Sequence, residues 1–350
     1  MTAPLPRALI LLLGAAATVI TVAGLKSIAW LAAPVLLALV IVIAVSPVHR
    51  WLRRVGFPSW AATLVLVVLV YGTLITFAVV TFVSLAQLTT TLPRYADRFD
   101  GILADITRAL QGMGVTPEQV RDALATLDFG KIAPYVGSII SDLTGLTTSL
   151  VFLLALLLFL SIEAISVDTR LADIAAERPQ VTHALRTFTI RTRRYLAVTT
   201  VFGLAIAVLD VIALALLGIP LSLLWGLLSF VTNYIPNIGF LMGVIPPAVL
   251  ALLVGGWKLM LIVILIYWAL NFLVQSVIQP IYVGDSIGLS PVMTFMALVF
   301  WAWVLGPLGA LLAVPTTLLV MALLVDTDPR ASWATALTRH NKRTERTDTA

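Results

Sequence analysis

Asn271, Gln275 and Gln279 recur at every fourth residue of an otherwise apolar stretch. On a helix that spacing puts three amides on one face, and inside hydrocarbon such a stripe has to face protein or water. Amides both donate and accept hydrogen bonds, so the stripe suits a pathway for a polar solute or an ion without specifying which. The competing reading is adhesion between helices, in which each amide contributes about 0.6 to 2 kcal/mol. Asp210 is the acid set deepest in an apolar run; Glu163, Asp285 and Asp326 stand at run ends. A carboxylate at such depth costs several kcal/mol unless it is paired or neutralised. It reads either as a proton or cation relay, or as a protonated acid donating one hydrogen bond between helices. Thr199, Gly203, Ala207 and Ala213 on its helix are small enough for close packing or a cavity.

Two interruptions flank the stripe. Asn233 and Asn237 bracket Pro236, with Gly239 just beyond, inside an apolar run from Leu221 to Val254. That run is too long for one straight span of about 20 residues. Gly306-Pro307-Leu308-Gly309, followed by Pro315, interrupts a second over-long run from Val292 to Val325. Broken backbone at membrane depth is tolerated only where it faces protein or a watery cavity, and it is the best pointer in a sequence to a transport site. At the first break, freed backbone groups suit a solute or ion; the alternative is that the asparagines satisfy a local turn. Gly239 and Gly243 are spaced for close helix packing, Ser290-Pro291 reads as a cap with proline in the first turn, and Trp301 and Trp303 read as interface anchors, the commoner case, or as side chains that fill the bundle. The candidate pathway is therefore Asp210, Asn233, Pro236, Asn237, Gly239, Asn271, Gln275, Gln279, Pro280, Gly306 and Pro307.

The elements that must position these residues are membrane helices. Of 350 residues, 60% are hydrophobic and 11% charged, with a mean hydropathy of +1.06. The fold class is all-α: a polytopic helical bundle of about eight transmembrane helices, with broken or re-entrant segments in the C-terminal half. Residues 1–88 hold three spans, 89–148 an extracytoplasmic loop with amphipathic helices, and 149–194 a fourth span and cytoplasmic amphipathic helices. The transport core is 195–325, and 326–350 is a cytoplasmic tail. Arginines 50, 53 and 54 in one connection, and 191, 193 and 194 in another, place both on the cytoplasmic side with the two termini. The loop from Thr89 to Thr148 is slightly acidic, and Thr116-Pro117 should start a short helix reaching about Leu127. Pro179 should divide the cytoplasmic segment into two interfacial helices, with the fifth span starting at Tyr195.

Several chemistries are excluded. The absence of cysteine removes disulfides, thiolate metal sites and cysteine nucleophiles, and His49, His183 and His340 lie far apart. There is no phosphate-binding loop, zinc-protease helix or nucleophile elbow, so an enzyme, a cofactor or a metal is not expected. The net charge of +5 sits beside apolar spans, where it orients the chain in a lipid bilayer, and no basic patch fits a nucleic acid.

Gly218-Ile219-Pro220, Ile235-Pro236-Asn237-Ile238-Gly239, Gln279-Pro280 with Gly284, Leu289-Ser290-Pro291 and the run from Phe300 to Pro315 together resemble the autoinducer-2 exporter family. The resemblance implies a bacterial inner-membrane transporter of eight spans without a cofactor. It also implies a homo-oligomer, with the pentamer among the assemblies considered. Family members are described as exporting the signal autoinducer-2, and others as sodium/proton antiporters. Where many members carry an acid or asparagine near the Gln-Pro motif, this chain has Gln275, Ser276 and Gln279. Three readings follow. The first is a secondary transporter exporting a small polar solute such as autoinducer-2. The second is a sodium or lithium/proton antiporter using Asp210. The third is a membrane scaffold recruiting partners through its amphipathic helices.

Overall fold

A computed structural model of the chain describes residues 6–112, 150–163, 166–236, 238–279 and 289–327. The expected helix after Thr116, together with Asn237, Pro280, Gly284 and Asp285, lies outside the described residues.

Every described element is helical. Helix α1 (Arg7–Ser27) turns at Ile28 into α2 (Ala29–Arg54), which runs through Pro47 and makes the first basic connection helical almost to its end. Helix α3 (Ser59–Thr91) continues through a 3-10 turn (Leu92–Tyr95) into α4 (Ala96–Gly112), a helix that the soluble character of the loop did not single out. Helix α5 (Leu150–Glu163) packs on α3, where the Tyr71 hydroxyl donates to the Leu154 carbonyl. Beyond it come α6 (Val167–Glu177) and α7 (Pro179–Leu216). Pro179 does divide the segment before Tyr195, at the first turn of α7. The second interfacial helix, however, has no end of its own: α7 runs 38 residues from Pro179 through the arginine cluster to Leu216. Charge changes the solvent a helix prefers, not its backbone bonding, and nothing between Arg191 and Tyr195 breaks a helix.

Among the described residues, four helical stretches are long and apolar enough to cross a membrane: Ala29–Arg54, Ser59–Tyr95, Pro179–Leu216 and Gly239–Ile278. The chain is a multi-pass membrane protein. Its outer surface is correspondingly apolar: Trp30, Trp60, Val68, Leu216 and Leu265 are each more than half exposed.

The C-terminal half departs from a succession of single crossings. Helix α8 (Ser222–Thr232) has 11 residues, a rise of about 16 Å against a hydrocarbon core of about 30 Å. After the turn at 233–238 the chain folds back as α9 (Gly239–Asn271), bent at Gly256, where φ is 75° and ψ is −169°. That bend divides an apparent 40-residue stretch into a first limb, 239–255, and a second limb from 257 that ends in a π-helical turn (Phe272–Ile278). Leu224 and Trp225 of α8 share a core with Val244, Ala248 and Ala251 of the first limb, so the two are antiparallel partners. Arg98 of α4 donates to the carbonyls of Leu253, at 3.2 Å, and Val254, capping the limb beside the bend.

The second broken run folds likewise. Helix α10 (Pro291–Leu305) is joined through α11 (Pro307–Leu311) to α12 (Ala313–Leu324), which returns along it. Ser290 caps α10 through the Met293 amide as expected. Gly306, at φ 72°, makes the turn that an L side chain would strain. Each broken run is therefore a hairpin of short helices rather than one kinked span, the re-entrant form that the expected helical bundle allowed. Trp301 fills the bundle: it is 6% exposed and its indole Nε1 donates to Thr317 Oγ1 at 2.9 Å inside the second hairpin. Trp303 does lie at the surface, with the Lys26 ammonium 4.0 Å from its ring centroid.

Candidate functional site

The tip of the first hairpin is the meeting point of the sequence candidates. Asn233 ends α8, and its neighbours close tight local turns: the Tyr234 amide bonds the Val231 carbonyl at 3.1 Å, Ile235 bonds Thr232 at 2.8 Å, and Ile238 bonds Pro236 at 2.8 Å. The described backbone amides of the break, those of Asn233, Tyr234, Ile235, Ile238 and Gly239, are thus occupied by local bonds rather than left free for a solute. Gly239 is required here, because a Cβ would run into the Thr232 carbonyl oxygen, and Gly243 faces Ser229 and Thr232 one turn on. Pro236 is half-buried at the tip.

Side chains then tie this tip to two walls. Gln275 Nε2 donates to Asn233 Oδ1 at 2.9 Å and to Asn271 Oδ1 at 3.1 Å. Asn233 Nδ2 donates to the Thr199 carbonyl of α7 at 3.3 Å. Asn271 Nδ2 donates to the Tyr267 carbonyl at 2.8 Å. Two members of the expected stripe therefore bond each other and the tip, and the chain of amides runs from α9 across to α7. Gly203 makes room for it, since a Cβ there would meet the Asn233 amide. Gln275 stays exposed and Gln279, which closes the π turn, is partly exposed. The π turn widens the helix through the stripe, a distortion that recurs at functional sites.

The second tip lies against the first. Ile235 shares a core with Leu298, Trp301, Val304, Leu305 and Ala313, and Ile238, Leu308 and Leu311 pack around it. Gly306 and Pro307 turn this second tip but make no bond to the amides; they stand beside the site as shapers. Ala33 of α2 closes the same cluster.

Asp210 is separate from the amide chain but on the same helix as its anchor. It is 0% exposed, six residues and so about 9 Å from the Leu216 end of α7. Its Oδ2 accepts from Ser229 Oγ of α8 at 2.5 Å, while Oδ1 has no partner among the described residues.

Several contributing residues were not singled out in the sequence. The Tyr195 hydroxyl donates to the Tyr234 carbonyl at 3.1 Å, and the hydroxyls of Thr200 and Tyr234 lie 2.6 Å apart. These hold the tip on α7. Tyr267 was legible: it stands four residues before Asn271 and extends the stripe's own period. Ser229 and Thr232, three apart on an apolar helix, carried the same kind of signal.

The model of the AI-2E family transporters matches residues 10–327. The chain is 29% identical over 330 residues to the AI-2 transport protein TqsA of Escherichia coli, covering 93% of this chain and 94% of that one. It is 30% identical over 337 residues to a Haemophilus influenzae protein provisionally named as a transport protein, covering 93% and 95% of the two chains. A Mycobacterium tuberculosis protein with a similar provisional name is 30% identical over 295 residues, 81% of this chain and 79% of its own.

Proposed function

This chain belongs to the AI-2E family of transporters, and we propose that it is a secondary exporter of a small polar solute of the autoinducer-2 kind. The observation that carries the reading is the amide chain Gln275–Asn233–Thr199, which closes a path between a hairpin tip and two helices with bonds that are weak individually. Interhelical hydrogen bonds in membranes contribute about 0.6 kcal/mol on average. A solute rich in hydroxyls can therefore replace the Asn233–Gln275 bond with bonds of its own, and the tip can part and rejoin at small free-energy difference. Such replacement is how a path for a polar molecule alternates between its two sides. The name of the Escherichia coli relative, AI-2 transport protein, supports the substrate class.

The proposed setting is a bacterial inner membrane with both termini cytoplasmic and export as the direction of transport. Arg50, Arg53 and Arg54 close α2 on one side, and the acidic loop carrying α4 faces the other. The protein works as a homo-oligomer without a cofactor. Relatives named for transport point away from an enzyme.

The test is efflux of autoinducer-2 from liposomes loaded with it and bearing the purified full-length chain. Wild type empties them, and Gln275→Ala slows emptying about fivefold, the equivalent of about 1 kcal/mol, while the protein remains assembled. Unchanged efflux in Gln275→Ala removes the amide chain from the pathway. If sodium or lithium instead drives a pH change in dye-loaded vesicles and Asp210→Asn abolishes it, the protein is a cation/proton antiporter and the export reading falls.

A further inference from the structure

Asp210 sits where two structural units meet, in a pocket of unmatched polar atoms. Helix α7 presents it to α8 of the first hairpin, whose Ser229 hydroxyl donates to Oδ2 at 2.5 Å. The other carboxyl oxygen and the hydroxyl of Tyr267 both lack a partner among the described residues, although both residues are among the most deeply enclosed of these. Tyr267, on the second limb of α9, shares a core with Leu214 of α7, one turn beyond Asp210, and with Trp225 of α8. Three elements thus converge here with an acid, two hydroxyls and two unsatisfied atoms. A buried group left without a hydrogen bond costs about 1 to 3 kcal/mol and marks a place where something else is expected to bind or dissociate.

The surroundings decide what that is. Between Tyr195 and Leu216 Asp210 is the only charged residue of α7, and neither α8 nor α3, which packs on α8, contains one. On α9 the charged residue is Lys258, which is exposed, and Arg98 is engaged with the carbonyls of Leu253 and Val254. The Glu163–Arg170 and Asp105–Arg108 ion pairs lie elsewhere. With one hydroxyl donor and no cation facing it among the described residues, the enclosed site suits a neutral carboxylic acid. The carboxylate calls for water or a cation, which can enter only if α8 moves off α7. There is no slack between them: a Cβ on Gly226 of α8 would strike Val211, and Gly226 also lies against the Ala207 carbonyl of α7.

We propose that Asp210, with Ser229 and Tyr267, is a proton-binding site that couples export to the proton gradient: the protonated acid docks the first hairpin on α7, and release of the proton undocks it. This deepens the exporter reading and rests on it for the word export, since the docking itself requires no solute. One binding event at Asp210 then biases the same hairpin whose tip carries Asn233, so proton and solute act on one two-state element.

The chain has no native cysteine, so a single reporter thiol can be placed in this seam. Ala207, 6% exposed and facing α8, is replaced by Cys in the full-length protein, and its labelling rate by a small methanethiosulfonate is followed from about pH 5 to about pH 9, a range that brackets the carboxyl shifts proteins impose. The same substitution in an Asp210→Asn background supplies the intrinsic pH dependence of the thiol. Relative to that background, labelling in the Asp210 chain rises with pH by up to about tenfold per unit where one proton governs the opening. Asp210→Glu, which keeps an acid, retains the rise. The carboxylic-acid stretching band in infrared difference spectra disappears over the same interval and is missing from Asp210→Asn. Identical pH profiles with Asp and Asn overturn the proposal, as does a profile unaccompanied by the infrared change. Because no step of this measurement transports anything, it stands or fails separately from the efflux of autoinducer-2.

Discussion

The bond between Asn233 and Gln275 should be measurable as a coupling free energy. Four proteins suffice: wild type, Asn233→Ala, Gln275→Ala and the double substitution. Each single change removes more than the bond of interest, since Asn233 also reaches the Thr199 carbonyl at 3.3 Å and Gln275 also reaches Asn271 at 3.1 Å. Those secondary losses cancel in a double-mutant cycle, leaving the pair term. Its geometry is good, at 2.9 Å, but Gln275 is exposed, which places the expected coupling at about 0.6 to about 1.7 kcal/mol, the measured range for such pairs in membranes. In equilibrium terms that is about threefold to about twentyfold. Titrating the detergent-solubilised proteins with a denaturing detergent and following tryptophan fluorescence supplies the four stabilities. A coupling below about 0.3 kcal/mol, the additivity expected of distant independent sites, would refute the claim that the tip is bonded to the stripe.

Gly239→Ala should be poorly tolerated, because its Cβ collides with the Thr232 carbonyl; overpacking of about 1 to 3 kcal/mol should lower the melting temperature, and a value unchanged from wild type would contradict the closeness of the turn. Trp301→Phe keeps the ring in the second hairpin but removes the indole donor to Thr317 Oγ1, whose own hydroxyl still donates to the Ala313 carbonyl, so the loss of one hydrogen bond, about 1 kcal/mol in stability, is expected, with Trp303→Phe at the surface nearly neutral in the same melt. Arg98→Gln removes a cationic cap from the carbonyls of Leu253 and Val254; amide exchange around Gly256 should quicken about fivefold, for a cap contributing about 1 kcal/mol at an exposed site, and unaltered exchange would show that the contact does not hold the bend.

The parts of this site that a sequence reveals are those written in periodicity and in residue type. Asn271, Gln275 and Asn233 were legible because an amide in hydrocarbon has few reasons to be there, and the structure joins all three. Asp210 was legible for the same cause. What a hydropathy pattern lacks is direction: Leu221–Val254 is as apolar in a hairpin as in a kinked span, so only the packing of Gly239 and Gly243 on Thr232 and Ser229 separates the two. Trp301 was open to two readings because a tryptophan at a membrane surface and one donating to a threonine inside a hairpin have the same composition on either side. The continuity of α7 was missed because four charged or polar positions near Arg191 mark a change of solvent, which a helix crosses without interruption. The π turn at Phe272–Ile278 has no residue signature at all.

That uninterrupted α7 has a mechanical consequence. Arg193 pins it to α2 through Ser46 Oγ at 2.7 Å and the Ile43 carbonyl at 3.4 Å, and from this pin the rod extends about 21 Å to Pro179 and about 26 Å to Asp210. It is a nearly equal-armed lever about that pin, with Ala184 and Phe188 of one arm packed on α2 and α12. A sideways shift of about 2 Å at the Pro179 end swings Asp210 by about 2.5 Å the opposite way, given the rigidity of a continuous helix, comparable with the 2.5 Å that joins it to Ser229. A displacement of the Pro179 end, passed on through the neighbours packed there, would arrive at the buried acid without any ligand having travelled there.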